Sequence, residues 1–255
     1  MAAVQTPLGG AASNRSLAAL AATGATHVRL YSTWYMADAI SVAIRPNTDE
    51  TSPLRSETTA QLSSTLAAAA QLGLRAIMSP RLDFDWDQAG MAGRAPYSAS
   101  VSALGAGFTA AQWQQWFVSY TAFAHQHAGL CAAAPRCCAG LVLADELHSA
   151  FASVNEASWQ ALAASTRKLL PSGAALLVMT SRPALVTWWA SVDYIGFNAE
   201  QTPLARYTYA EAADAVVITA GIHVPWPPLP FASTPMKLGQ TTCAFHAPPR
   251  HEHAV

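Results

Sequence analysis

The feature that most constrains this chain is a regular alternation of short apolar runs with longer helical periodicities. THVRLYSTWY (26–35), LRAIMS (74–79), GLVLADELH (140–148), ALLVMTS (175–181) and VDYIGFN (192–198) are apolar, aromatic and β-branched. Runs of that length and composition read as strands. Between them lie segments with apolar residues every three or four positions. Strands alternating with amphipathic helices imply a parallel sheet with helical crossovers. The strand runs lack polar alternation, as a sheet covered on both faces requires. Two architectures satisfy this pattern: a (β/α)8 barrel and an open doubly wound sheet.

Local signals place the helices. Ser13 or Asn14 is expected to cap the first, with Gly24 just past its end. Ser56 is expected to cap a second helix that Gly73 stops. Thr109 opens a third, with Trp113, Trp116, Phe117, Tyr120 and Phe123 on one face; that stripe reads as helix-on-sheet core. Ser153 and Glu156 read as a capping box for a fourth, and Thr208 and Glu211 as another, for a helix running to Gly221. Pro183 starts a short helix holding Trp188 and Trp189. One of these adjacent rings is expected in the core and the other nearer the rim. The domain is therefore taken as residues 13–221. Residues 222–255 have no periodicity; from 223 onward they hold seven of the 16 Pro and four of the eight His. They read as an irregular Pro/His-rich tail.

Composition excludes several classes of function. The net charge is −1, and charged residues make up only 11%. No broad field exists to hold nucleic acid or an anionic membrane. The longest uncharged run, 95–124, is interrupted by Gln, Ser, Thr and Gly, so no membrane span is expected. The first residues show neither a basic nor an apolar leader region, which leaves the cytoplasm as the default compartment. No G-x-G-x-x-G and no G-x-x-x-x-G-K-S/T occurs, so no nucleotide cofactor is expected. His125, His127, Cys131, Cys137 and Cys138 fit no zinc spacing, so no metal is expected and these residues read as structural.

In parallel α/β folds ligands bind beyond the carboxyl ends of the strands. The polar residues there are Tyr31, Ser32, Trp34 and Tyr35; Arg81, Asp83, Asp85, Trp86 and Asp87; Asp145, Glu146 and His148; Ser181 and Arg182; and Asn198 and Glu200. Carboxylates, amides and aromatic rings on one rim suit a carbohydrate. Two carboxyl groups flanking a glycosidic bond are the minimum for acid/base hydrolysis. Glu146 is the sharpest signal, because it follows AGLVLA where a strand emerges. Desolvation by aromatic neighbours would suit it to donate a proton.

These segments, together with SLAALAATGA, WFVSYTAFAHQHA and EASWQALAASTRKLL, resemble glycoside hydrolase family 113 in order and spacing from about Ser13 to about Glu200. The resemblance implies a (β/α)8 barrel, here with about five recognisable strands and so incomplete, and a retaining mechanism on a β-linked, mannan-type oligo- or polysaccharide. It makes Glu146 the acid/base. It matches Trp34 and Tyr35 to the family's aromatic pair and Asp83 to the Asp of its Pro-His-x-Asp turn. Arg81 stands where that turn has His. Asp145 stands where an amide or small polar residue is usual, and Asn198 and Glu200 where Asp and Tyr are usual. Asp145, Asn198 and Glu200 are still expected to line the substrate site. The family's nucleophile, a second Glu three strands further on, has no match; Glu200 and Glu252 are poor substitutes. A five-strand piece also leaves two bare edges. Two functions stay open: a retaining hydrolase, or a non-catalytic truncated form that at most binds carbohydrate. The oligomeric state is not legible.

Overall fold

The computed structural model describes residues 8–50, 55–84, 104–180, 182–197, 216–218 and 221–224. Four helices and seven strands follow in chain order. They are α1 (Ala11–Ala22), β1 (His27–Met36), α2 (Thr59–Gln71), β2 (Arg75–Phe84), α3 (Ala110–Ala133), β3 (Cys138–Asp145), α4 (Glu156–Arg167), β4 (Ala175–Thr180), β5 (Tyr194–Phe197), β6 (Val216–Ile218) and β7 (Gly221–Val224). The strands form one sheet in the order β1-β2-β3-β4-β5-β7-β6. β1 to β5 are parallel to their neighbours, whereas β7 pairs antiparallel with both β5 and β6.

The parallel strands follow chain order without a switch point. The buried faces of all four helices join one core with one face of the sheet. Leu17, Leu62, Leu66, Trp116, Phe123 and Trp159 pack there with Leu30, Met36, Met78, Leu82, Ala144 and Val178. The opposite face carries a separate cluster of Ile77, Val142, Leu177, Met179 and Tyr194. A doubly wound sheet reverses its strand order and covers both faces with helices. Sequential order with helices on one side is the arrangement of a (β/α) barrel wall. The fold is therefore α/β of the (β/α)8-barrel type, here represented by five parallel strands.

The expected aromatic stripe of α3 is core. Trp116 and Tyr120 stack at 4.6 Å, and Trp159 stacks on Trp188 at 4.9 Å. The buried polar tips of Tyr120 and Trp159 each find an acceptor, as buried phenol and indole groups favour, whereas the Trp188 indole N–H has none among the described residues. The Tyr120 hydroxyl donates to the Leu143 carbonyl, and Trp159 Nε1 donates to the Ala150 carbonyl. Both bonds clamp the end of β3 and the turn that follows. Trp188 is buried and Trp189 is half-buried.

Several local expectations are corrected. α1 starts at Ala11 with Gly10 as N-cap; Ser13 is inside the helix and its hydroxyl donates to the Gly10 carbonyl. Thr58, not Ser56, caps α2, in a capping box with Gln61. Ser56 is committed elsewhere, donating to Thr33 O and accepting from Asn47 N–H. Thr109 does cap α3, with Gln112 completing the box. α4 has Asn155 at its N-cap without a side-chain capping bond, since the Asn155 amide donates instead to the Ala150 carbonyl. Glu156 cannot reach back, because its carboxylate accepts from Gln160 and Thr187. Residues 216–218, expected to be helical, are strand β6, and 221–224, read as the domain's end and the start of the tail, are strand β7. The rest of that predicted helix, with Thr208 and Glu211, and the tail from 225 onward lie outside the described residues. Cys131 and Cys138 form a disulfide joining the end of α3 to β3. Cys137 keeps a buried thiol pointed at the Leu66 and Leu74 carbonyls, and burial pushes that thiol up. Among the described residues, no helix is long and apolar enough to cross a membrane.

Candidate active site

The carboxyl end of β3 holds the two acids that the sequence singles out. The register of β3 against β4 shifts between Val142 and Ala144, so Leu143 is an inserted residue. A strand alternates faces with period two, and one extra residue reverses the alternation. Ala144 thus joins the helix-side core, and Asp145 falls opposite Met179 on the other face.

On that face Arg29 reaches from β1. Its Nη2 donates to Asp145 Oδ2 at 3.0 Å and to Ser79 Oγ at 2.8 Å. The guanidinium lies 4.6 Å from the Tyr31 ring centroid, and that of Arg81 lies at 5.9 Å. Asp145 is buried, so its charge is felt beyond the pair: burial pushes the Tyr120 hydroxyl well above the usual phenol range, and Asp145 adds to this. Arg29 was not singled out from the sequence. The signal was available, since a charge inside a buried strand needs a partner.

Glu146 follows directly. Its φ is 57°, the only non-glycine residue in the left-handed region among those described. Its N–H donates to the Met179 carbonyl, and its own carbonyl accepts from His148 N–H. This sharp turn ends the strand where expected. The carboxyl, however, is fully enclosed rather than presented at a mouth. Oε2 lies 2.9 Å from His148 Nε2. The same nitrogen is 3.0 Å from Thr180 Oγ1, which accepts from Arg182 N–H.

Trp34 and Tyr35, expected as a pair, are split by strand alternation. Tyr35 is buried opposite Asp83 of β2 and bridges to Arg45 through its backbone. Asp83 Oδ1 accepts from the Phe84 N–H. Trp34 turns to the helix side and stacks on Phe123 at 4.9 Å. There it walls a groove of about 280 Å³ with Pro46, Arg55, Glu57, Thr58 and Gln126 among its lining. Burial raises the Glu57 carboxyl above its ordinary range, opposed by the backbone N–H groups of Glu57 and Thr33 and by Ser32. Nothing in the spacing around Glu57 marks it beforehand; only the backbone around Ser56, held to Thr33 and Asn47, brings it there. Asn198 and Glu200 lie outside the described residues, as do Asp85, Trp86, Asp87 and Ser181.

The family profile described as Glycoside Hydrolase Family 113 matches residues 2–220. No curated protein matches the chain. Among solved structures, the GH113 β-mannanase from Alicyclobacillus acidocaldarius in complex with ManMIm is 20% identical with a TM-score of 0.57, over 75% of this chain and 56% of that one. A GH113 β-1,4-mannanase complex is 18% identical with a TM-score of 0.53, over 73% of this chain and 56% of that one. A further GH113 β-1,4-mannanase structure is 16% identical at TM-score 0.53, over 75% and 60%. The chain thus spans between 56% and 60% of the length of these structures.

Proposed function

We propose, from the premise that this chain belongs to glycoside hydrolase family 113, that it acts in the hydrolysis of a β-linked, mannan-type polysaccharide with Glu146 as acid/base. The observation that carries this reading is the placement of Glu146. It ends a central parallel strand in a left-handed turn. Such a backbone costs a bulky residue about 1–3 kcal/mol and persists where the surroundings impose it, characteristically at working sites. In the retaining route its carboxyl gives a proton to the glycosidic oxygen and later takes one from water. Tyr35, Asp83 and Asp145 would contact the sugar from the face opposite the helices. Asn198 and Glu200, which follow β5 in the chain, complete the proposed set, while Trp34 lines a separate groove on the helix side of the sheet.

A second reading is carbohydrate binding without turnover. It is favoured by the full burial of the Glu146 side chain. One experiment separates the two. The purified chain is incubated with β-mannan and reducing ends are compared with those from Glu146→Gln. Release by the parent and loss in the variant is the expected result. Equal signals exclude hydrolysis by Glu146. Quenching of tryptophan fluorescence by manno-oligosaccharide without release supports binding alone.

A further inference from the structure

We propose that His148 is the positioning residue of Glu146: its imidazole Nε2 holds the carboxyl Oε2 in place. This deepens the acid/base reading and rests on it for its catalytic meaning. Three observations converge. First, the two side chains meet at 2.9 Å, and both are buried. Second, the contact is built by the backbone. His148 N–H donates to the Glu146 carbonyl, and Glu146 N–H donates to Met179 O, so the turn that forces φ to 57° also swings the ring onto the carboxyl. Third, the ring is itself fixed. Nε2 touches Thr180 Oγ1 at 3.0 Å, and the ring packs edge-on against Phe151.

Nε2 carries one proton in the arrangement that suits both contacts. It donates to the Glu146 carboxylate, the form left once the acid step has given its proton, while the Thr180 oxygen, which already accepts from Arg182 N–H, lies beside it. A buried, charge-assisted bond of this kind is about twice as strong as a neutral one. Two neighbouring groups are already committed. Asp145 is paired with Arg29, and the Tyr120 hydroxyl donates to the Leu143 carbonyl. The Glu-Leu-His spacing alone gives no sign of the contact. In an extended strand residues two apart share a face, but the left-handed turn and the short 3-10 segment His148–Phe151 set this geometry.

The test reads the ring nitrogens of the full-length chain by ¹⁵N NMR at neutral pH, with His148 assigned by its disappearance in His148→Phe. The expected result is a slowly exchanging Nε2–H on His148 that is lost in Glu146→Ala. Should Glu146→Ala not fold, Glu146→Gln keeps the volume and removes the charge; the same proton should then exchange faster and move upfield. An Nε2–H signal indifferent to these changes, or a ring protonated only at Nδ1, overturns the proposal. In hydrolysis, His148→Phe should lower kcat about a hundredfold with KM little changed, the size expected when a reacting group is displaced by about 1 Å. His148→Gln, whose amide N–H reaches the same place, should restore most of it. Loss in both variants alike, or a proportional change in kcat and KM, counts against positioning. A parent chain that hydrolyses nothing while the NMR coupling holds removes the catalytic reading of Glu146 and leaves the pair standing.

Discussion

Removing the Arg29 guanidinium should be among the most destabilising single changes on the face opposite the helices. In Arg29→Met the aliphatic stem stays, but the ion pair to Asp145, the bond to Ser79 and the stacking on Tyr31 go together. The Asp145 side chain is only 4% exposed, so its charge would remain in the interior without that cation. Breaking a buried pair from one side costs about 3–5 kcal/mol. The Arg29 side chain is 22% exposed, so water reaches it and the loss should be nearer 2–4 kcal/mol. Urea unfolding at pH 7 should show a lower midpoint with an unchanged slope. Asp145→Asn alone leaves Arg29 able to meet water and should cost less. The double variant should show a coupling of about 1–3 kcal/mol. Arg167→Met is the control, because its pair with Asp193 is 43% and 39% exposed and should be worth about 0.5 kcal/mol or less. An Arg29→Met chain within about 0.5 kcal/mol of the parent, or an additive cycle, would refute the reasoning.

Other expectations follow from single contacts. Gly140→Ala places a Cβ 2.6 Å from the Ala175 carbonyl oxygen of the neighbouring strand, so backbone must move; the cost should be about 1–3 kcal/mol, read by chemical denaturation. His127 is fully buried, and burial lowers its pKa to about 4, only partly opposed by the bond to the Phe123 carbonyl. The unfolded chain then binds the extra proton first. Stability should fall as pH drops from about 6.5 towards 4, by up to roughly 3 kcal/mol. His127→Leu should flatten that part of the stability–pH curve. Cys131→Ser opens a bridge of sequence separation 7 and should cost about 2 kcal/mol by thermal unfolding under non-reducing conditions, whereas the parent should lose a similar amount when reduced.

Much of the architecture was written in local pattern. The five parallel strands fall on the five apolar runs, and the α3 stripe from Trp116 to Phe123 packs as its spacing requires. Helix caps were less legible. Ser56 is intrinsically the better cap residue, and only the loop that engages it with Thr33 and Asn47 leaves the role to Thr58. The pairing of Cys131 with Cys138 needed the helix to return its end to the start of β3. At the candidate site, the position of Glu146 at a strand end was evident, but its enclosure by His148 was not.

The sequence by itself determined that strands and helices alternate, that the strands β1 to β5 run parallel and are buried, and where the acids emerge from them. These are matters of periodicity within a few residues. Only the tertiary structure decided that the helices share one face, which makes a barrel wall of what could have been a doubly wound sheet. It also decided that one inserted residue, Leu143, turns Asp145 towards Arg29, and that Trp34 and Tyr35 part company across β1. Strand order, register and facing depend on contacts between segments far apart in the chain, and no local pattern carries that information.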